Sequence, residues 1–256
     1  MEVIMVVEVF GLTDIGKKRE LNEDSYRICG FENGKPLGFC VLADGMGGHN
    51  AGEVASGNAV EIIAGELEEC LGEEDSGKIS LNIAEAIDLA NARIYEMSLH
   101  SAEQAGMGTT TVLAYIRDSL VRVANIGDSR AYVVSDKEIC RMTIDHSVVE
   151  QLIRSGTITR EEAKTHPDKN IITRALGTEE FVDADFFDYE ASEGETIILC
   201  SDGLTEMVSE DEIKECVNNA ESVASAVNTL VGKANENGGT DNITVVAVRF
   251  CKEGNI

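Results

Sequence analysis

Basic residues are scarce in this 256-residue sequence: 21 lysines and arginines stand against 47 aspartates and glutamates, for a net charge of −26. So much negative charge repels phosphate backbones and anionic lipids, so we expect neither nucleic acid nor a membrane surface as a partner. With 43% hydrophobic residues the chain can still bury a large core. Its length predicts a single domain over residues 1–256.

Paired spacings of metal-binding cysteine or histidine are also missing. No Cys-x-x-Cys or His-x-x-x-His pair occurs, so we do not expect a zinc site. The seven cysteines are odd in number and lack paired spacing, which argues against a disulfide framework. No apolar run approaches the length of a membrane span, and the apolar residues 1–10, interrupted by Glu2 and Glu8, predict an edge strand rather than a signal peptide. These absences predict a cytoplasmic protein.

What the sequence does contain is four aspartates in short polar segments beside apolar runs. They are Asp44 in LADGMGGH, Asp128 in NIGDSR, Asp202 in LCSDG and Asp241 in GGTDN. The aliphatic residues before the first three predict buried strands, which would fix these carboxylates at strand ends. Any one of these segments alone is most simply a hairpin or loop. Only the combination of the four indicates a shared site.

Carboxylates on rigid supports suggest a site for a hard metal ion. Magnesium and manganese prefer oxygen donors, and a short carboxylate beside glycine lets a backbone carbonyl such as that of Gly45 approach the ion. Several carboxylates packed together without a cation would have raised pKa values and would cost stability. The cluster therefore predicts bound divalent ions.

The order of these motifs is similar to that of a known family. The segment TDIGKKRELNED at residues 13–24 adds an arginine and an acidic pair ahead of DGMGG, GDSR, SDG and DN. In this order the motifs resemble the metal-dependent, type 2C-like protein serine/threonine phosphatases in their bacterial form. The resemblance covers about residues 11–250, and the ordered set is far more specific than any single motif.

The resemblance implies a role for each acidic position. Asp44 matches the carboxylate that bridges two Mn²⁺ or Mg²⁺ ions, Gly45 matches the residue that offers its carbonyl, and Asp202 and Asp241 match the remaining ligands. Asp128 matches a position that, together with Asp202, holds a third and weaker ion in bacterial relatives. The implied reaction is the attack of a metal-bridging hydroxide on a phosphoserine or phosphothreonine of a protein.

Further residues match supporting positions. Glu23, Asp24 and Asn242 match residues that orient the metal ligands and metal-bound water. Arg19 matches the residue that binds the substrate phosphate, which a guanidinium can hold through two charge-assisted hydrogen bonds. The alternative interpretation of Arg19 is an exposed surface arginine in a Lys-Lys-Arg run.

One position departs from many eukaryotic relatives. Met46 stands where those relatives have a histidine that is assigned as the general acid, and methionine has no proton to donate. Three alternatives remain: a metal-bound water protonates the leaving alcohol, His49 does so, or protonation contributes less here. A lone histidine such as His49 more simply packs or caps its loop.

The patterning predicts an α+β fold. Residues 37–43, 196–200 and 242–250 predict strands, and residues 109–116, 120–126, 130–135 and 138–142 predict a four-strand antiparallel meander. Helices are expected at residues 53–71, 80–104, 210–218 and 222–236. The second shows Ile83, Ile87 and Ile94 at helical spacing, and Ser209 with Glu212 predicts a capping box at the start of the third. The family resemblance implies two stacked antiparallel β-sheets with α-helices on both outer faces, and metals at one end.

Residues 145–177 form the segment in which relatives carry a flap beside the active site. It predicts a helix at residues 148–155, a capping box that begins at Thr159 and a break at His166-Pro167. The alternative is an ordinary surface excursion.

Three functions remain open at this point. One is a phosphatase that opposes a bacterial serine/threonine kinase, with phosphorylated proteins, including such a kinase, as partners of a monomeric enzyme. The second is a phosphatase for one dedicated phosphoprotein regulator, such as an anti-sigma-factor antagonist. The third is an inactive binding module, which is expected to have lost metal ligands, whereas here every ligand position is filled.

Overall fold

The computed structural model describes residues 5–47, 51–73, 75–100 and 103–253, and within them the chain forms alternating groups of strands and helices. In chain order the strands are β1 (Met5–Asp14), β2 (Asp24–Gly30), β3 (Leu37–Met46), β4 (Gly108–Thr109), β5 (Thr111–Arg117), β6 (Leu120–Ile126), β7 (Arg130–Val134), β8 (Ile139–Arg141), β9 (Asp185–Glu190), β10 (Thr196–Cys200) and β11 (Ile243–Lys252). The α-helices are α1 (Ala51–Glu69), α2 (Ser76–His100), α3 (Val148–Arg154), α4 (Arg160–Ala163), α5 (Asp202–Thr205), α6 (Glu210–Asn218) and α7 (Val223–Glu236).

These strands form two antiparallel sheets. The order in the first is β2-β3-β5-β6-β9, with β4 paired to the end of β3, and the order in the second is β1-β11-β10-β7-β8. One hydrophobic core lies between the sheets, and each outer face has its own core beneath helices: α1 and α2 on the first sheet, α5, α6 and α7 on the second. The expected α+β sandwich with helices on both outer faces is confirmed.

Central strands are apolar throughout because both of their faces are covered. The neighbours Val41 and Leu42 on β3 point into different cores, the first beneath α1 and α2 and the second between the sheets. Every residue of β10 is buried as well. A strand buried on both faces carries no alternation of polar and apolar residues, which explains the continuous aliphatic runs before Asp44 and Asp202.

The predicted four-strand meander is wrong. The strands β5 and β6 belong to the first sheet, whereas β7 and β8 belong to the second, so the chain crosses between sheets after β6. The crossing is made by Gly127, whose φ of 100° turns the backbone sharply, and by Asp128 and Ser129. A crossing of three residues looks like a hairpin turn in the sequence, although it carries the chain to the other layer.

Other elements lie close to their expected positions. The helix expected at 80–104 is α2, which begins earlier and ends at His100; residues 101 and 102 are outside the described part of the chain. The capping boxes at Thr159 and Ser209 are confirmed: in each, a glutamate carboxylate accepts from the cap amide, at 2.8 and 2.9 Å. The expected amino-terminal strand is β1, which lies at the edge of the second sheet and runs to Asp14, beyond the expected end at residue 10. Residues 1–4 are outside the described ranges.

Among the helices of the described residues, none combines the length and the apolar character that crossing a bilayer requires.

Candidate metal centre

Asp44 lies inside β3, not in a turn after it as the sequence predicted. The strand continues through Gly45 and Met46, which pair with Thr109 and Gly108. Two threonines fix the Asp44 backbone: the Thr109 hydroxyl donates to its carbonyl at 2.8 Å, and its amide donates to the Thr110 hydroxyl at 3.0 Å. The Asp44 carboxylate is therefore carried by a backbone that is held on both of its polar groups.

Asp24 is the register partner of Asp44 on β2, and its side chain reaches the opposite sheet. Its Oδ2 atom accepts from the Ser201 hydroxyl at 2.8 Å and from the Thr244 hydroxyl at 2.6 Å. Ser201 follows β10 and Thr244 lies on β11, so one buried carboxylate of the first sheet is bonded to two strands of the second. This contact fixes the relative position of the sheets at the end where the aspartates lie.

Gly45 packs against the start of α1. A Cβ at this position would overlap the Gly52 carbonyl oxygen and lie 2.6 Å from the Glu23 carbonyl oxygen. The Gly45 amide donates to the Glu23 carbonyl at 3.0 Å. Burial raises the pKa of Glu23, while the charge of Arg19 acts in the opposite direction. Only glycine fits between these two backbone segments.

Asp128 and Asp202 border one small pocket. Asp128 lies in the three-residue crossing between the sheets, and Asp202 is the first residue of α5 rather than part of a turn. The pocket has a volume of about 100 Å³, and residues of the 145–177 segment line its far side: Asp145, Ser147, Val149, Lys169 and Asn170. Lys169 crosses the pocket to Glu206, with Nζ 2.7 Å from Oε1.

Arg19 meets Asp241 at the surface of the site. Its Nη2 atom donates to Asp241 Oδ2 at 2.7 Å, and its Nη1 atom lies 3.8 Å from Glu23 Oε2. Partial burial lowers the pKa of Arg19, but the charge and hydrogen bond of Asp241, together with the charges of Glu23 and Asp44, outweigh this effect, so the net shift is upward. The arginine side chain keeps 47% of its surface exposed. It is thus paired within the site and open to solvent.

Asn242 is hydrogen-bonded to the loop between β1 and β2, residues 15–23, which carries Arg19. Its Nδ2 atom donates to the carbonyls of Ile15 and Leu21 at 3.0 and 2.9 Å, and its Oδ1 atom accepts from the Glu23 amide at 2.8 Å. These contacts use both amide hydrogens and one of the two lone pairs of the oxygen. Asn242 therefore fixes the loop that carries Arg19 and Glu23.

The carboxyl groups are close enough to change one another's pKa values. Burial raises the pKa of Asp44 well above its ordinary value, and the charges of Asp24, Asp202, Asp128 and Asp241 raise it further. The pKa of Asp202 is raised in the same way, first by burial and then by its acidic neighbours. For Asp24 and Asp128, burial is again the main cause, and both pKa values rise to about 6.

These features fit a divalent cation. The buried oxygens Glu23 Oε1, Asp24 Oδ1 and Asp202 Oδ1 have no hydrogen-bond partner, which is costly for a carboxylate unless a cation or water satisfies it. Within the described ranges, no group of three or more histidine, cysteine, aspartate or glutamate side chains is arranged closely enough to hold an ion by itself. Magnesium needs only one or two carboxylates because waters complete its shell, so the arrangement is compatible with it.

Sequence reasoning missed the hydroxyl groups that hold this site. Thr109, Thr110, Ser201 and Thr244 each bond an aspartate or its backbone, and Ser129 bonds Thr110. The only signal was the Thr109-Thr110-Thr111 run at the start of a buried strand. Met46 ends β3 opposite Gly108, and the alternative acid His49 lies outside the described residues.

Several known proteins are similar to this chain in sequence and in fold. A family model described as protein phosphatase 2C matches residues 16–241. The serine/threonine phosphatase stp of Listeria monocytogenes serotype 4b is 40% identical over 236 residues, which are 92% of this chain and 93% of that protein.

Two solved structures extend the comparison. The serine/threonine phosphatase of S. agalactiae superposes with a TM-score of 0.89 at 35% identity, over 95% of this chain and 99% of that one. The PstP catalytic domain in complex with two manganese ions superposes with a TM-score of 0.82 at 33% identity, over 96% and 99% of the two chains. The expected family is thus confirmed, and the chain belongs to the protein phosphatase 2C family.

Proposed function

We propose that this phosphatase hydrolyses phosphoserine and phosphothreonine on proteins with two Mn²⁺ or Mg²⁺ ions held by Asp44, the Gly45 carbonyl, Asp202 and Asp241. The observation that carries the proposal is the set of buried carboxylate oxygens without partners at the end of the sandwich where Asp44 and Asp202 approach each other. The manganese complex of the similar PstP domain supports the choice of metal. We also propose that the whole chain is one catalytic domain.

The ions would supply two things when bound: neutralisation of the phosphate charge and a lower pKa for coordinated water. The chain's own residues perform the remaining tasks. Asp44 and Asp202 keep their carboxylates at fixed positions because the Asp44 amide is hydrogen-bonded to Thr110 and Asp202 is the first residue of α5, directly after the buried Ser201. Such preorganisation means that little rearrangement is needed when charge develops during the reaction.

Arg19 is the proposed phosphate ligand. Its pairing with Asp241 holds the guanidinium at the edge of the site, and its exposure leaves donors available to an incoming phosphate. A planar guanidinium can bind two phosphate oxygens at once, which would orient the monoester for attack. The alternative of an unengaged surface arginine is less favoured because its side chain bonds a site carboxylate.

Glu23, Asp24 and Asn242 are proposed to orient the site. The Asp24 carboxylate is bonded by Ser201 and Thr244 through one oxygen, and its second oxygen, which has no partner, would be available to orient water on a bound ion. Asn242 fixes the Glu23 backbone. Outer groups of this kind commonly change metal affinity or activity by about 10 to 100-fold when they are removed.

Asp128 is proposed to hold a third and weaker ion together with Asp202, since both line the same pocket. The identity of the general acid keeps its three alternatives, because Met46 cannot supply a proton. We further propose a monomeric cytoplasmic enzyme that opposes a bacterial serine/threonine kinase. The 40% identity to the Listeria serine/threonine phosphatase supports a protein substrate.

The test is hydrolysis of p-nitrophenyl phosphate and of a phosphothreonine peptide in manganese, magnesium or chelator. We expect turnover with either metal, none in chelator, and almost none in Asp202→Ala. Asp88→Ala is the matched control because Asp88 is exposed on α2, on the helical layer of the first sheet. Absence of turnover with every metal would instead support an inactive binding module.

A further inference from the structure

The first residues of the 145–177 segment are bonded to the turn that carries Asp128. The Gly127 amide donates to His146 Nδ1 at 3.0 Å, and the His146 amide donates to the Gly127 carbonyl at 2.9 Å. The backbone N–H and C=O of Gly127 are thus both bonded to His146, and the carbonyl also accepts from Asn125 Nδ2 at 3.3 Å. His146 is buried, with 8% of its surface exposed.

The other side of the His146 ring faces Asp185, the first residue of β9. Its Nε2 atom lies 3.2 Å from Asp185 Oδ2, and Asp185 Oδ1 accepts from Arg174 at 2.8 Å. The His146 carbonyl accepts from the Thr173 amide at 2.7 Å. His146 is therefore connected to both ends of the 145–177 segment and, through Asp185, to β9.

The ring accepts a hydrogen bond at Nδ1, so in the neutral form its proton is on Nε2, facing Asp185. Burial lowers the pKa of His146 below its ordinary value, and this effect outweighs the opposing contact with Asp185. The neutral ring is consistent with the acceptor role of Nδ1.

The opposite face of the Gly127 turn is closed by Thr110. A Cβ at Gly127 would lie 2.6 Å from Thr110 Cγ2, and the Thr110 hydroxyl is 2.7 Å from the hydroxyl of Ser129. The turn is thus held between Thr110 on one side and His146 on the other. Asp128 is the residue between Gly127 and Ser129, so both contacts act on its immediate neighbours.

We infer that His146 is a positioning residue that holds Asp128 in place for the third divalent ion through the Gly127 peptide, and so links that ion to the flap. This inference rests on the proposed function of Asp128. The ring makes no contact with substrate in this role. Its effect is on the geometry of a carboxylate that the phosphatase uses.

Two substitutions of His146 distinguish the role of Nδ1 from that of Nε2. The side-chain oxygen of His146→Asn can stand where Nδ1 stands and accept from Gly127, whereas the amide of His146→Gln reaches the position of Nε2. The matched control is His166→Asn, because His166 Nδ1 also accepts a backbone amide, that of Asp168 at 3.1 Å, within the same segment.

The first measurement is calorimetric titration of each purified variant with Mn²⁺. For His146→Gln we expect the weakest binding event to lose affinity by about tenfold or more, in the range typical of outer-shell substitutions. His146→Asn and the control His166→Asn should remain close to wild type. Wild-type affinity in His146→Gln, or an equal loss in His146→Asn, would overturn the inference.

A second measurement needs no metal. Hydrogen–deuterium exchange of peptides that cover Gly127 should be faster in His146→Gln than in wild type and unchanged in His146→Asn. If His146→Gln is too unstable to purify, Asp185→Ala tests the same ring from its other nitrogen, at a position that is already 37% exposed. This variant leaves Nδ1 in place, so its Mn²⁺ affinity should stay close to wild type, as in His146→Asn, and a loss of the weakest binding event would show that the role does not belong to Nδ1.

Asp128→Asn distinguishes this inference from the proposed function. If Asp128→Asn abolishes the weakest binding event while His146→Gln leaves it intact, only the role of His146 is wrong. If Asp128→Asn itself leaves all binding events intact, the third-ion assignment fails and the inference fails with it. Loss of the same event in both variants supports the two together.

Discussion

The Thr110 hydroxyl lies 2.7 Å from the Ser129 hydroxyl and also accepts the Asp44 amide at 3.0 Å. The oxygen has a second lone pair and one proton, so it can bond the Asp44 amide and the Ser129 hydroxyl at the same time, with either hydroxyl as the donor of the second bond. One buried side chain thus joins the strand of Asp44 to the turn of Asp128. The separation between these two proposed metal positions is set by a hydroxyl that carries no charge.

Thr110→Val should therefore destabilise the protein. Valine keeps the shape but leaves the Asp44 amide and the Ser129 hydroxyl without their buried partner, at a cost of about 1–3 kcal/mol in the free energy of unfolding. Urea denaturation in chelator measures this cost. Thr110→Ser keeps the hydroxyl and should lose less stability, and equal losses in the two variants would show that packing of the methyl group matters instead.

Arg19→Lys should raise KM for a phosphothreonine peptide by about tenfold, because loss of a charge-assisted hydrogen bond costs at least about 1.5 kcal/mol. The ammonium of lysine keeps the charge but cannot form the two-pronged contact. Lys18→Ala is the neighbouring control, which should leave KM unchanged. Steady-state kinetics on both variants would contradict the phosphate role of Arg19 if KM were unchanged in Arg19→Lys.

Stability of the metal-free protein should fall as pH rises. The pKa of Asp24 and of Asp128 is about 6 in the fold, against an ordinary value of 3.8, so the folded state binds these protons more tightly. Their stabilising effect is complete below the ordinary pKa and is lost as pH rises through about 6. In chelator, the free energy of unfolding should thus be lower at about pH 8 than at about pH 5.

Asp202→Asn tests the origin of that pH dependence. Removing a buried charge whose pKa is raised should stabilise the metal-free protein at about pH 8 by about 1 kcal/mol or more. Asp88→Asn removes one exposed charge and controls for the net charge of −26. Mn²⁺ should stabilise the wild type and fail to stabilise Asp202→Asn to the same extent. Equal gains in the two variants would assign the effect to general repulsion.

The flap can be removed at a defined point. Ser147 and Ile172 form a β-bridge, and the Val148 amide donates to the Ile171 carbonyl at 2.9 Å, so residues 149–170 can be replaced by an Asn-Gly turn. We expect p-nitrophenyl phosphate to be hydrolysed at close to the original rate, because no proposed ligand is removed. The ratio of kcat/KM values between different phosphopeptides should move toward one. An unchanged ratio would favour the ordinary surface excursion.

Much of the fold could be predicted because its periodic elements carry strong signals. The apolar spacing of Ile83, Ile87 and Ile94 indicated α2, and Ser209 with Glu212 marked the start of α6. The crossing at Gly127 could not be predicted, since a short glycine turn has the same sequence whether it joins strands of one sheet or of two. Strand β9 was not predicted because acidic residues interrupt it, and its positions alternate between exposed and half-buried at a sheet edge.

The site was predictable where charge stands out and not where it is neutral. The sequence identified four candidate ligands because charged residues are unusual beside buried strands and therefore indicate a function. They are Asp44, Asp128, Asp202 and Asp241. A buried threonine does not indicate a site in this way, since threonine is common in strands and its hydroxyl usually finds a hydrogen-bond partner nearby. The contacts of Thr110, Ser201 and His146 depend on distant segments meeting, which a single sequence does not state.

The carboxylate of Asp24 is anchored by hydroxyls of the facing sheet, and the acidic groups around it come from both layers of the sandwich. An ion shared among such groups acts as a cross-link between the layers, whereas its removal leaves mutual repulsion at the same place. This end of the depleted protein should therefore open first and be cut first by a protease. The supply of divalent metal would then set how long the enzyme survives in addition to how fast it works.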